Sequence, residues 1–225
     1  INALWKNKVA VLVGDFLLSK GLLLALDNDE FQLLKIVSNA TREMSEGELL
    51  QIEKARKLDI DESVYFEIIR KKTASLIASC CASGAASVGS TDEAVERMKQ
   101  FGEKAGIAFQ IKDDLFDYEQ SNKTGKPHGI DIKEQKMTLP LIYLLNNSDR
   151  TEKRKIVNII KNHNTDPDKV KYVINRVNQS GGIEYANKQM IRFRDEALEI
   201  LAGFSESPVR TALNQLVDFT IERKK

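Results

Sequence analysis

No proline precedes Pro127, and the only others are Pro140, Pro167 and Pro208. Proline stops helices because it lacks an N–H and its ring clashes with the preceding turn. A chain spared it for so long, with apolar residues recurring three and four positions apart, can build long helices. Strand signals are nearly absent: there are no alternating runs and no Asn-Gly or Asp-Gly turns. The periodicity predicts helices over about 2–26, 29–57, 62–88, 91–119, 136–147, 150–163, 167–179, 183–203 and 207–223. Asp61, Thr91 and Ser207 stand where N-caps belong, and Gly181-Gly182 punctuates the C-terminal part. With no repeat, low-complexity tract or linker, residues 1–225 read as a single all-α domain.

Composition removes several function classes. A net charge of +1 argues against a basic nucleic-acid surface. Cys80 and Cys81 supply neither a disulfide framework nor a zinc site, which fits a reducing, cytoplasmic compartment. The apolar run from Val9 to Leu18 is broken by Asp15 and is short for a membrane span, so no transmembrane segment is expected. Neither His128 nor His163 has metal-ligand spacing to a partner, and both read as surface residues.

The polar residues on inward faces are more telling. Asp113, Asp114 and Asp117 fall at i, i+1 and i+4 in a helical stretch. At about 100° per residue they share one face with Gln110. Such a cluster suits either a wet surface or divalent cations, with Mg²⁺ the natural guest of hard oxygens that must also hold a phosphate. In the first helix Asp15 lies among Leu4, Val11, Leu18 and Leu22. In the second, Glu48 and Gln51 continue the stripe of Leu33, Val37, Ala40 and Met44. In the third, Lys72 falls within the stripe of Tyr65, Ile68, Ile69 and Leu76, whereas Lys71 falls outside it. Singly, these have plain readings: a satisfied core carboxylate, the wet end of a helix, a lysine snorkelling to solvent. Together they describe a polar cavity inside a helix bundle, suited to metal ions and an anionic ligand. The segment from Ser121 to Lys136 has the composition of a flap whose lysines could close over a phosphate.

These residues resemble the trans-isoprenyl diphosphate synthases, the polyprenyl synthetase family, and in particular its long-chain, octaprenyl-like branch. The matching stretches run in order: Lys8 to Leu18, Ser45-Glu46-Gly47-Glu48, Lys71 to Leu76, Phe109 to Asp117, and Gly125-Lys126-Pro127 through Asp131-Ile132 to Lys136. The resemblance implies an isoprenoid-synthase-type helical bundle around a central cavity. It also implies a prenyltransferase joining isopentenyl diphosphate to an allylic diphosphate, such as farnesyl diphosphate, with loss of pyrophosphate. Asp113, Asp114 and Asp117 would be the second of two Asp-rich motifs that hold Mg²⁺. Lys72 and Thr73 would contact the allylic diphosphate, Thr73 and Gln110 would lie near the reacting carbon, and Lys126 and Lys136 would hold the leaving pyrophosphate. Asp15 would partner a metal-bound water. Homodimerisation is expected by the same resemblance.

The family's first Asp-rich motif would precede Ile1, and no other D-D-x-x-D occurs here. The chain therefore reads as truncated at its N-terminus, inactive on its own, and prone to self-association through bundle surface left bare. The competing readings are a terpene cyclase of the same fold, which would not need the Lys72-Thr73 element, and a non-catalytic regulatory subunit.

Overall fold

The computed structural model describes residues 7–57, 61–118 and 129–223. Among the described residues every regular element is helical. In chain order they are α1 (Asn7–Asp27), α2 (Phe31–Lys57), α3 (Glu62–Ile69), a π-helical turn (Arg70–Ala74), α4 (Ser75–Ala86) and α5 (Asp92–Phe116). There follow α6 (Ile130–Lys133), α7 (Leu139–Asn147), α8 (Arg150–Asn162), α9 (Pro167–Gln179), α10 (Gly182–Ala202) and α11 (Pro208–Glu222). The expected caps are in place. Asp61 accepts from the Val64 amide at 2.9 Å, Thr91 from Ala94 at 3.3 Å and Ser207 from Arg210 at 3.1 Å.

Helix α5 is the axis of the bundle, packed mainly between α4 and α10. Its Ile107, Ala108, Ile111 and Leu115 join one continuous core with residues of α3 and α7 to α10. Ile111, Leu139, Leu141, Ile156 and Ile160 are fully buried, each worth about 1.5–3 kcal/mol of burial. A second cluster of Phe101, Ala197, Leu201 and Val217 closes the far end of α5 against α10 and α11.

The span 62–88, expected as one helix, carries the π turn at its middle. The wider turn needs room, and glycines on both flanking helices provide it. A Cβ on Gly47 of α2 would stand 2.7 Å from the Lys72 amide nitrogen, and one on Gly106 of α5 would stand 2.7 Å from the Ala74 Cα. The extra residue in the turn also shifts the helical phase. Leu76, predicted on the inner stripe, is therefore exposed, while Ala74, Ser75 and Ala78 are buried.

The first helix departs from expectation. Helix α1 buries none of its residues and packs mainly on α2, so Val11, Leu18 and Leu22 are exposed rather than inward, and Asp15 is exposed with them. Leu4 lies outside the described residues. At 21 residues and a mean hydropathy of 2.0, α1 is long and apolar enough to cross a membrane by length and composition, which the shorter Val9–Leu18 reading did not anticipate.

Candidate active site

A cavity of about 180 Å³ opens between the π turn, α5 and the segment from α6 to α7. Lys72, Thr73, Gln110, Asp114, Asp131 and Lys136 line it. Five of the sequence-predicted residues thus meet around one space, although they come from stretches far apart in the chain.

Their hydrogen bonds form a relay. Thr73 Oγ1 donates to Gln110 Oε1 at 2.8 Å, and Gln110 Nε2 donates to Asp114 Oδ1 at 2.9 Å. The other carboxylate oxygen of Asp114 accepts from the Tyr65 hydroxyl at 2.8 Å. Asp114 is buried, and loss of hydration pushes its carboxyl up to about 7, against the lowering effect of its bonds to Gln110 and Tyr65. Burial, then proximity to the Asp114 carboxylate, raises the Tyr65 phenol as well. Lys72 Nζ is held on the cavity wall by Glu48 at 2.6 Å and Gln51 at 3.0 Å, the two polar residues read as continuing the α2 stripe.

The opposite wall is built by α6. The helix is four residues long and follows Gly129, whose φ of 74° only glycine adopts without cost. Asp117 caps it, accepting from the amides of Ile130 at 2.9 Å and Asp131 at 3.2 Å. The chain then turns at Gln135, in the left-handed region at φ 57°, which brings Lys136 to the cavity. Lys136 Nζ lies 2.6 Å from Glu134 and 3.4 Å from Asp131. Burial and the neighbouring Asp117 raise the Asp131 carboxyl, with Lys136 opposing. Burial lowers the Lys136 ammonium, but Glu134 and Asp131 outweigh it and the net shift is upward.

The three motif aspartates do not converge on one point. Asp114 points inward, Asp117 caps α6, and Asp113 accepts from Arg223, beyond the end of α11. The helical wheel placed them on one face, and Asp117, the C-cap of α5, keeps helical backbone angles, but α6 supplies the amides that its carboxylate accepts from. Among the described residues no group of three acidic, histidine or cysteine side chains is assembled for a metal. The donor set still fits Mg²⁺, which is commonly held by one or two carboxylates with waters and substrate phosphates completing six hard oxygens. Asp113 keeps 40% of its side chain exposed while it pairs with Arg223.

Lys126, with His128, lies outside the described residues, and no described contact joins the exposed Asp15 to the cluster. Conversely, sequence reasoning gave no role to Asp131, Tyr65 or Arg223. Tyr65 was read as one apolar residue of a stripe. Its position seven residues before Lys72, on the same face, was the available signal.

The family model for Polyprenyl synthetase matches residues 1–177. The chain belongs to the polyprenyl synthetase family. It is 37% identical over 223 residues to the all-trans-nonaprenyl-diphosphate synthase (geranyl-diphosphate specific) of Rhodobacter capsulatus, covering 99% of this chain and 68% of that protein. It is 32% identical over 232 residues to the short chain isoprenyl diphosphate synthase of Methanothermobacter thermautotrophicus, covering 100% of this chain and 70% of that one. The crystal structure of a polyprenyl synthase from Caulobacter crescentus CB15, complexed with calcium and isoprenyl diphosphate, superposes with a TM-score of 0.89 at 32% identity. The match covers 100% of this chain and 69% of that one. The fold is the helical bundle of these prenyl synthases, and α1 lies within the span matched by the family model.

Proposed function

We propose that the protein is a prenyltransferase that joins isopentenyl diphosphate to an allylic diphosphate and releases pyrophosphate, building a polyprenyl diphosphate. The carrying observation is the shared cavity, in which the Thr73–Gln110–Asp114–Tyr65 relay lies between two lysines from opposite walls, Lys72 and Lys136.

In this reading Lys72 and Lys136 exchange their present carboxylate partners for diphosphate oxygens. Breaking the bond between the allylic carbon and oxygen leaves the electron pair on pyrophosphate, and the ammoniums stabilise the charge that develops there. Lys126, from the segment before α6, joins them on the leaving group. Mg²⁺, when bound through Asp113 and its motif neighbours, supplies further positive charge to the diphosphate. The hydroxyl of Thr73 and the carboxamide of Gln110 are fixed against each other beside the reacting carbon, where their oxygen dipoles favour the allylic cation. The isopentenyl double bond attacks that carbon, a new carbon–carbon bond forms, and transfer of a proton to the departing pyrophosphate restores a double bond. Apolar side chains of the cavity wall, Ile68 and Ile69 among them, keep water from the cation.

Residues 1–225 serve this chemistry as one helical domain. We place the protein in the cytoplasm, where the free thiols of Cys80 and Cys81 fit. It acts as a homodimer, a state favoured by the bare apolar residues of α1, including Leu12, Phe16, Leu17 and Leu18. The test is pyrophosphate release by the full-length protein from farnesyl diphosphate and Mg²⁺, with and without isopentenyl diphosphate. Release that requires isopentenyl diphosphate supports elongation. Release from the allylic substrate alone, with a hydrocarbon product, makes the protein a cyclase. No release in either case leaves a regulatory subunit.

A further inference from the structure

Arg223 follows α11 and lies 110 positions from Asp113 in sequence, yet its guanidinium donates to the Asp113 carboxylate. Several contacts hold the arginine there. Its guanidinium carbon sits 4.2 Å from the ring centroid of Phe109 and 5.4 Å from that of Phe116, the two aromatic residues that flank Asp113 on α5. Its Nε donates to the Thr220 carbonyl at 3.0 Å, and its amide to the Phe219 carbonyl at 3.0 Å. The cation also meets the negative end of the α11 dipole. Only 23% of the side chain is exposed, so this is not a loose surface pair.

The guanidinium engages Asp113 Oδ1, and a divalent cation bound to the same carboxylate would lie beside that positive charge. A guanidinium keeps its charge, so the repulsion between the two cations is relieved by the arginine moving away.

We propose that Arg223 is a built-in counter-cation that occupies Asp113 until a divalent metal takes the carboxylate, so that metal loading releases the last turn of α11. The inference rests on the reading of Asp113 as a metal-binding carboxylate. Arg223 is thus a competitor in the metal-free state, and the same exchange couples the end of α11 to the loading of the site.

The experiment is Mn²⁺ binding to the full-length protein, followed by electron paramagnetic resonance, for wild type, Arg223→Gln and Asp113→Asn. Alongside it, hydrogen exchange is measured for wild-type amides 219–223 with and without Mn²⁺. Arg223→Gln should bind about two- to fivefold more tightly, the range that removing a partly exposed ion pair allows. Asp113→Asn should bind weakly, and Mn²⁺ should accelerate exchange in the wild-type last turn. If Asp113→Asn binds as wild type does, or wild type binds nothing, the metal reading itself fails and the inference with it. If Asp113→Asn is weakened but Arg223→Gln binds no more tightly than wild type, the counter-cation role alone is overturned. Unaltered exchange at residues 219–223 overturns the release of α11, and this readout decides even where Arg223→Gln does not fold.

Discussion

Thr73 Oγ1 and Gln110 Oε1, 2.8 Å apart, join the π turn to α5 at the point where both face the cavity. The bond fixes which way the Gln110 carboxamide points, because its nitrogen must then face Asp114 Oδ1, at 2.9 Å. Thr73→Val keeps the shape and removes the donor. Gln110 Oε1 is left without that partner and its amide gains freedom to turn. The expected result is a roughly tenfold or greater fall in kcat, with folding stability lowered by about 1–2 kcal/mol, the usual cost of one unsatisfied partner. Steady-state kinetics and thermal melts check both.

Gly47 is a test of the π turn. Its place beside the Lys72 amide has no room for a methyl group, whereas Gly84 of α4 has nothing within 4 Å. Gly47→Ala should destabilise the fold by about 1–3 kcal/mol, as overpacking does, and displace Lys72 enough to raise KM for the allylic diphosphate. Gly84→Ala should be neutral or stabilising by up to about 1 kcal/mol, because alanine is the better helix former. If the two behave alike in denaturant melts, the packing account of the turn is wrong.

The buried carboxyl of Asp114 makes a pH prediction. Its folded-state value, about 7, lies above the ordinary 3.8. A raised carboxyl binds its proton more tightly in the folded state, so its contribution to stability is fully present below 3.8 and is lost as pH rises through about 7. Asp131 is shifted in the same direction. Asp114→Asn cannot ionise. Apart from a constant offset for its lost acceptor, it should lose less stability than wild type between about pH 5 and pH 8, by an amount on the order of a few kcal/mol. Melts of both proteins without metal, across that range, test the direction.

The bare face of α1 predicts association. Phe16 is 60% exposed and Leu17 63% exposed, an arrangement that leaves apolar side chains in water unless a second surface covers them. Sedimentation should show a dimer at micromolar concentrations, and Phe16→Glu should shift it toward monomer. A monomer at every concentration contradicts the homodimer reading.

The all-α class, the three caps and the placing of Lys72 on one face with Tyr65, Ile68 and Ile69 were legible because each is a local matter of periodicity and hydrogen bonding. The π turn was not. It is a response to close packing against Gly47 and Gly106, which no single-helix pattern contains, and it explains why Leu76 was misplaced. Asp113, Asp114 and Asp117 were legible as a motif but not as three separate environments. Asp117, still in helical conformation, caps a short helix that periodicity could not detect. The wheel placed Asp15 inward on α1, but α1 packs mainly on α2 and leaves Asp15 in solvent, because a stripe states which residues share a face and not what covers it. The Arg223–Asp113 pair joins positions too far apart in sequence for any local signal.

The most direct test of the central claim is the product profile of the full-length protein with radiolabelled isopentenyl diphosphate, farnesyl diphosphate and Mg²⁺, with Asp113→Ala and Lys72→Ala alongside. The account predicts a ladder of polyprenyl diphosphates, reduced about a hundredfold or more in each variant, in line with the loss of a group that stabilises developing charge. A ladder that survives either substitution undiminished, or no elongation by the unaltered protein, would contradict it.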